Sequence, residues 1–529
     1  MCRGMRSKKI MIRWGITANA HDAALAVFDN NELKFAAHAE RSSGIKNDKH
    51  LNQTIVNQAL EFGHPKHVHW YETQWLKRLR QLRAGQYRTA LTKPSPVTSL
   101  QKFGIRPRTF ADIGEEIPVD FDHTPAWHNS RHHASHAAAG YFTSPYRDSA
   151  VLVIDSIGEF ETLTVWEGKD RKLKRKFSQK YPHSVGLWYS AMTQRIGLKP
   201  NEDEYILMGW AAVGDPDKYK KKIFEDFFYP LDQNSPRIRF KQNLHRGCKQ
   251  WAPELNSVQD YADIAAGTQA VYEYIFQHLV KQTKKLVDSD NIVLMGGCAL
   301  NCVANSIAYK YFNNVWIMPN PGDAGSSVGC VLDYTKEFIE FDSPYLGHAI
   351  RGNYPVNSAL KVIQESGMVG VANGCAEFGP RALGNRSLLA DPRGENMQDL
   401  VNTVKQRQAF RPFAPVIKEE CLHDYFDMPE GVTSSPFMQF VGRTKDPKSF
   451  PAITHIDGTS RVQTVTRLQH PGLYKLLDKW HEATGCPMLL NTSLNIKGEP
   501  MVDNKKDAVR WTEKYKVEVV TEERSSIGE

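Results

Sequence analysis

The chain has 529 residues, of which 41% are hydrophobic and 24% charged, the balance of a soluble globular protein too long for one ordinary core, so two to four domains are expected. No apolar run approaches the length of a membrane span, and the eight cysteines lie scattered, without the spacing of a zinc site or a disulfide framework. A net charge of +8 excludes neither a small anionic substrate nor a polyanion, and it favours the second only where the excess is concentrated.

The basic start, Met1 to Lys9, leads into a strand over 10–16 with no apolar signal core, so a cytoplasmic protein is expected. That strand carries Gly15 and is followed by T-A-N-A-H-D and a return strand. A small-residue hairpin of this kind lets backbone amides approach a phosphate. It places His21 and Asp22 in its turn, where an ordinary turn histidine fits equally well. From Lys66 to Arg108, ten Lys or Arg stand against one Glu, with Trp70, Tyr71, Trp75 and Tyr87 interleaved. This composition suits a surface that follows a nucleic-acid backbone and stacks on bases. It suits an amphipathic helix with a solvated basic face as well.

R-H-H-A-S-H-A-A-A-G-Y-F predicts a helix with His132 and His136 four apart on one face, able to bind one metal. The apolar strand 150–154 ends in D-S-I-G-E, where Asp155, Gly158 and Glu159 form a turn suited to a metal or a metal-bound phosphate. A helix over 261–287 and a buried strand over 292–295 lead to G-G-C-A-L-N-C-V-A-N. Gly296, Gly297, Asn301 and Asn305 read there as a nucleotide loop that opens a helix. A strand over 315–318 then leads to P-N-P-G-D-A-G-S-S-V-G, with Asp323 between Gly322 and Gly325. The recurring strand-glycine-helix unit predicts two related halves facing one cleft.

The polar segment 341–354 marks a domain boundary. Beyond it, the stretch from Glu377 to Pro415 carries Arg381, Arg386, Arg393, Lys405, Arg407 and Arg411, punctuated by Gly379, Pro380, Gly384, Pro392 and Pro412. Such a cluster suits a phosphate or acyl phosphate, or a set of surface ion pairs. D-G-T-S-R-V-Q-T-V over 457–465, and Asn491, Thr492, Ser493 and Asn495 after an apolar strand, add polar loops for a small ligand.

Read together, G-I-T-A-N-A-H-D-A-A, H-H-A-S-H-A-A-A-G-Y-F, D-S-I-G-E, L-M-G-G-C-A-L-N, P-G-D-A-G-S-S-V-G, E-F-G-P-R-A-L-G-N-R-S, K-Q-R-Q-A-F-R-P-F-A-P and L-L-N-T-S-L-N resemble, in order, the O-carbamoyltransferases of the nodulation and antibiotic-tailoring type. The resemblance implies an α/β protein: an N-terminal actin/sugar-kinase-like duplicated domain over 1–345 that binds ATP and metal, and a C-terminal YrdC-like domain over 346–529 that binds carbamoyl phosphate. It implies that carbamoyl phosphate and ATP form carbamoyl-adenylate, whose carbamoyl group passes to a hydroxyl acceptor. By position, His132, His136, Asp155 and Asp323 would hold a divalent metal, iron(II) before magnesium. His21 would be the general base. Gly296, Gly297 and Asn301, with Gly15, Gly158, Gly322 and Gly325, would hold the nucleotide, and Arg381, Arg386, Lys405, Arg407, Arg411 and Asn495 the carbamoyl phosphate.

Two departures stand out. Ile206 replaces a lysine of the family's E-G-K-V-M-G-L-A-P-Y-G, and Ser156 replaces the first glycine of D-G-x-G-E. The expected acceptor is a small hydroxylated sugar or antibiotic-like metabolite, or a 5-hydroxymethylpyrimidine in DNA, which the basic stretch 66–108 would contact. Threonylcarbamoyl-adenosine chemistry on tRNA is a further alternative, which the C-terminal motifs disfavour.

Overall fold

The computed structural model describes residues 11–87, 90, 123–341, 343–407 and 413–523. Its first sheet has the order β3-β2-β1-β4-β5, built from β1 (Ile12–Thr17), β2 (Ala24–Asp29), β3 (Glu32–His38), β4 (His67–Trp70) and β5 (Ala126–Asn129). β1, β2 and β3 are an antiparallel meander, while β4 runs parallel to β1 and β5 parallel to β4. The second sheet uses the same plan, β8-β7-β6-β9-β10, with β6 (Asp148–Ile154), β7 (Glu161–Lys169), β8 (Lys172–Lys180), β9 (Asn291–Met295) and β10 (Asn314–Ile317). Its first three strands are again antiparallel, and β9 and β10 again parallel. One topology used twice is the duplicated actin/sugar-kinase-like arrangement, and the recurring strand-glycine-helix units in the sequence are its trace.

The helix His132–Thr143 is buried along its whole length, which its alanines and lack of charge require. Small residues let its neighbours come close. A Cβ on Gly140 would stand 2.4 Å from Met295 Cγ, and one on Gly329, in the helix Ser326–Thr335, 1.9 Å from the Ser135 carbonyl oxygen. This packing fixes the helix rigidly between the two halves and so sets where its histidines point.

The C-terminal part has its own hydrophobic core, drawn from residues between Ile350 and Val520. A ribbon of β11 (Tyr345–Ile350) and β13 (Gly374–Glu377) borders a six-stranded mixed sheet, β19-β15-β20-β14-β12-β21. Its strands are β12 (Met368–Ala372), β14 (Arg386–Ala390), β15 (Ala414–Lys418), β19 (Gln463–Val465), β20 (Met488–Ser493) and β21 (Val519–Val520). A small sheet of β16 (Phe426–Asp427), β17 (Val441–Thr444) and β18 (Thr459–Arg461) lies outside it.

The two parts meet along a seam of signature residues. Arg41 Nη2 donates to the Gly379 carbonyl at 3.2 Å, the His38 ring packs on Phe378 with centroids 5.4 Å apart, and Asn305 Nδ2 donates to the Gln439 carbonyl at 3.1 Å. Burial holds the His38 imidazole down at about 4, despite the charges of Glu40 and Asp22, and Asn320 Nδ2 lies 2.8 Å from its Nε2. A histidine kept neutral on folding costs stability as pH falls: the unfolded chain takes up the proton near 6.5 and the folded chain only near 4. The loss grows through that window to about 3 kcal/mol. His38→Gln, which keeps an acceptor for Asn320, is expected to flatten the acid limb of urea-unfolding midpoints between pH 6.5 and 4.5. Equal slopes in both proteins would refute this.

Candidate functional site

Four side chains from separate elements converge in the cleft of the N-terminal part. His132 and His136 come from adjacent turns of one helix, Asp155 from the end of β6, and Asp323 from the turn after β10. One ligand atom from each lies within 4.8 Å of all the others. His132 Nε2 is 3.1 Å from His136 Nε2, 3.2 Å from Asp155 Oδ2 and 3.4 Å from Asp323 Oδ1, and His136 Nε2 is 3.3 Å from the same Asp323 oxygen. The side chains are 0 to 20% exposed.

Burial works against ionising Asp323, yet His132 and His136 hold its carboxyl well below the usual range. Asp155 is pushed up by burial and by Asp323, but His132 and His136 bring it net below its ordinary value. His132 is raised well above the ordinary imidazole range, since Asp323 and Asp155 outweigh its burial. The outer Nδ1 atoms of both histidines are buried without a hydrogen-bond partner, so both rings offer their Nε2 atoms inward. Two imidazole nitrogens and two carboxylate oxygens facing one point fit a divalent cation, and this mixed donor set suits a first-row transition ion better than magnesium.

The glycines around the cluster divide into two kinds. A Cβ on Gly158 would stand 2.6 Å from His132 Cδ2, and one on Gly296, at φ +87°, 2.2 Å from the Ile154 carbonyl. Gly297 N donates to Asp155 Oδ1 at 3.2 Å. Gly322, by contrast, faces open space, as close approach of a ligand to the backbone requires. Gly15 and Gly325 serve packing: their Cβ atoms would meet the Ser327 and Asn320 carbonyl oxygens at 1.8 and 1.9 Å. Gly158→Ala is therefore expected to displace His132 and abolish ion binding while the chain still folds, checked by isothermal titration with iron(II) beside thermal unfolding. Wild-type ion affinity in the variant would contradict it.

The loop after β9 differs from the expected helix opening. Residues Gly297–Leu300 and Asn305–Lys310 form two short 3-10 turns, with no long helix to direct a macrodipole at a phosphate. The Asn301 amide is also engaged: Gln269 donates to its oxygen at 3.1 Å and accepts from its nitrogen at 2.9 Å, and Ala304 N donates to the same oxygen. Asn301 thus fixes the loop rather than offering a free amide to adenosine. Gln269, 32 residues away, has no local signal that pairs it with Asn301.

His21 stands at the rim, its side chain 38% exposed and its Nδ1 2.9 Å from Asp22 Oδ2. Burial opposes protonation, but Asp22, Asp323 and Glu202 together raise the imidazole to about 9.

In the C-terminal part, Glu377 organises the turn that carries two of the arginines. Its Oε1 accepts from the backbone amides of Leu383, Asn385 and Arg386 at 2.8, 2.9 and 3.2 Å. Arg386 corrects the expectation of a substrate contact. It is fully buried, and its guanidinium donates to the carbonyls of Asn373, Gly374, Asn385, His348 and Asp503. A cation opening the apolar strand R-S-L-L-A was the signal for this structural role. Lys405 Nζ, with the lysine 4% exposed, donates to Ser493 Oγ at 3.1 Å and Asn495 Oδ1 at 2.8 Å. This brings Lys405, Ser493 and Asn495 into one polar group. Arg407 donates to Asn402 Oδ1 and lies 3.7 Å over the Phe413 ring; Arg411 falls outside the described residues. Arg381 turns toward the N-terminal part, where it lines a small crevice with Ala299, Leu300, Pro319 and Met438. Arg393 pairs with Asp391 at the surface.

Among the described residues the basic stretch divides into buried and exposed groups. In the helix Gln74–Arg83, Lys77 pairs with buried Glu72 at 2.8 Å, and Arg80, 6% exposed, donates to the Glu159 carbonyl. Arg83 lies over the Phe160 ring. The exposed groups include Trp75, Leu79, Leu82 and, just beyond the helix, Tyr87. Lys77 and Arg80 are drawn inward because the Glu72 carboxylate and the loop at Glu159 lie beneath the helix, while Arg83 stays exposed. Residues 88–89 and 91–108 of the stretch fall outside the described residues.

Comparison with known proteins bears on this geometry. Residues 113–332 match the family model for the carbamoyltransferase N-terminus and residues 360–527 that for the carbamoyltransferase C-terminus. An uncharacterized protein of Synechocystis is 30% identical over 587 residues, covering 94% of this chain and 93% of the relative. The nodulation protein NolO of Bradyrhizobium diazoefficiens is 32% identical over 412 residues, covering 72% and 75%. The 3'-hydroxymethylcephem-O-carbamoyltransferase of Amycolatopsis lactamdurans is 26% identical over 546 residues, covering 93% and 94%. With both family regions present in order on a duplicated N-terminal fold, the chain belongs to the carbamoyltransferase family and is a transferase that moves a carbamoyl group to a hydroxyl.

Proposed function

We propose that the protein is an ATP-dependent O-carbamoyltransferase that uses carbamoyl phosphate, forms carbamoyl-adenylate and passes the carbamoyl group to a hydroxymethyl-bearing acceptor. The convergence of His132, His136, Asp155 and Asp323 beside His21 carries this reading. A divalent cation held by these four would screen nucleotide phosphates. Lys405, Arg407, Arg411 and Asn495 would hold carbamoyl phosphate, with Lys405 neutralising the leaving phosphate as the mixed anhydride opens. Open space at Gly322 suits a phosphate close to the backbone.

His21 would take the acceptor proton at the imidazole as the hydroxyl attacks the carbamoyl carbon. Asp22, its hydrogen-bond partner, and Asp323 both favour its protonated form, and ligation of Asp323 would remove the second of these. Arg381, at the crevice beside Ala299 and Leu300, is proposed to act at the meeting of the two sites.

The test is release of phosphate and pyrophosphate from carbamoyl phosphate and ATP with iron(II), followed by mass spectrometry of candidate acceptors. Lys405→Met should stop use of carbamoyl phosphate and leave ATP binding intact, and His21→Ala should stop transfer alone. Absence of pyrophosphate release from the wild type with any divalent ion would remove the adenylate step.

The relative whose name specifies a hydroxymethylcephem supports a small ring-borne hydroxymethyl acceptor. A 5-hydroxymethylpyrimidine in DNA is the second reading, favoured by the exposed Trp75 and Tyr87 rings on a chain of net charge +8. A mobility shift at low salt separates them: no retarded DNA leaves the small acceptor.

A further inference from the structure

We propose that Arg237, Arg239, Arg246 and Arg83 form a track that docks a single strand of DNA and leads it to the mouth of the cleft in the N-terminal part. The inference rests on the DNA reading of the acceptor for what the strand carries, but its test needs no turnover.

The track begins on the extended segment 237–241, R-I-R-F-K. Ile238 and Phe240 are buried, so Arg237, Arg239 and Lys241 alternate outward, and all three are exposed. Backbone bonds hold the segment in place: Ile238 N donates to Gln179 Oε1 at 2.7 Å, Phe240 N to His183 Nδ1 at 3.2 Å and Lys241 N to the Phe227 carbonyl at 2.9 Å. The path continues through Asn243, whose Nδ2 donates to the Tyr181 hydroxyl at 2.6 Å, to His245, whose ring meets Tyr181 edge-on and whose Nε2 lies 2.8 Å from Gln86 Nε2. Arg246 reaches the same place, since a Cβ on Gly85 would stand 3.6 Å from its Nη2. Arg83, at the end of that helix, lies over the ring of Phe160, the neighbour in the chain of Glu159. The track thus ends on the D-S-I-G-E turn, beside Asp155.

These cations are not a set of surface ion pairs. Among the described residues none of the four arginines pairs with a carboxylate, and the carboxylates along the path are engaged: Glu161 with Arg175 and Ser178, Glu225 with Lys221 at 3.9 Å and Asp226 with Lys222 at 3.0 Å. The uncompensated charge is felt inward. Burial holds His183 below the ordinary imidazole range, with Arg239 and Arg237 adding to it, and His245 is lowered by burial, Arg80 and Arg246. Aromatic rings stand between the cations, with Tyr229 41% exposed under the Arg239 guanidinium at 4.8 Å and Tyr87 63% exposed beyond Arg83. Phosphates and splayed bases of one strand fit such a surface. From Arg237 to Arg246 the exposed side chains are all polar or charged, with no apolar group to insert into lipid. A single strand also fits the cleft, because ligand side chains that are 0 to 20% exposed are out of reach of a base stacked in a duplex.

Fluorescence anisotropy of the full chain with a labelled oligodeoxythymidylate of about 16 nucleotides, which carries no acceptor hydroxymethyl, tests the track. Wild type is expected to bind at low salt, with a log-log salt slope of about −2 to −3, the value for three or four phosphate contacts on a single strand. Arg237→Gln combined with Arg239→Gln should reduce that slope by about 1.4 and weaken binding about 10- to 100-fold. Lys361→Gln combined with Arg467→Gln removes the same charge from exposed side chains of the C-terminal part and should leave the slope at its wild-type value. No binding at low salt, or equal losses in the two double variants, overturns the proposal. Tighter binding to phosphatidylserine vesicles or to an oligouridylate of equal length, through the same arginines, overturns it in favour of a membrane or of RNA. The expected binding pattern without carbamoylation of an oligonucleotide that bears a 5-hydroxymethylpyrimidine would count against the DNA acceptor and leave the track standing.

Discussion

Arg386→Met is expected to destabilise the C-terminal part by about 3–5 kcal/mol, the scale for removing one partner from a buried charged network, and to lower soluble yield. The reason is local: five backbone carbonyls, at Asn373, Gly374, Asn385, His348 and Asp503, lose their common donor. Each buried carbonyl left unmet costs about 1–3 kcal/mol before the chain relaxes. Lysine does not rescue it, since a single ammonium cannot reach carbonyls spread around a planar fork. Urea unfolding followed by near-UV signals from Trp480 and Trp511 measures the loss. Wild-type stability with loss of carbamoyl-phosphate binding alone would return Arg386 to the substrate site.

The second large effect concerns the four converging side chains His132, His136, Asp155 and Asp323. At a hundredfold excess over its dissociation constant, iron(II) should stabilise the wild type by about 2.7 kcal/mol. That gain should vanish in His136→Ala and in Asp323→Asn, with carbamoyl transfer falling by more than about 100-fold. Both measurements matter, because a thermal shift reads the ion without requiring turnover. An ion-induced shift of full size in Asp323→Asn would show that the carboxylate is not a ligand. Glu377→Gln offers a useful contrast: it keeps an oxygen for the amides of Leu383, Asn385 and Arg386 but gives up the charge-assisted strength of those bonds.

Much of the architecture was legible because its signals are local. The apolar run ending in Asp155, the histidines four apart and the glycines beside Asp323 each sit within one strand, turn or helix, where periodicity and turn chemistry act directly. The repeat of those units pointed to a duplicated domain, and the two sheets have one topology. Composition by itself did not place the cations of the basic stretch. The helix Gln74–Arg83 is rich in cations, yet it buries Arg80 over the Glu159 carbonyl and exposes Trp75 and Leu79. Its basic residues answer to groups outside the helix, the buried Glu72 and the loop after β6.

By itself the sequence determined most element types, the duplicated plan and the residue types that converge at His132, His136, Asp155 and Asp323, all of which depend on neighbours in the chain. Only the tertiary structure decided which cations remain for chemistry. Glu377 to Pro415 reads as one anion trap, but its arginines diverge: Arg386 becomes a buried clamp, Arg381 turns to the N-terminal seam, and Lys405 joins Ser493 and Asn495. A charge's role depends on the acceptors that surround it, and those come from residues up to 117 positions away, brought near by packing that no local pattern records.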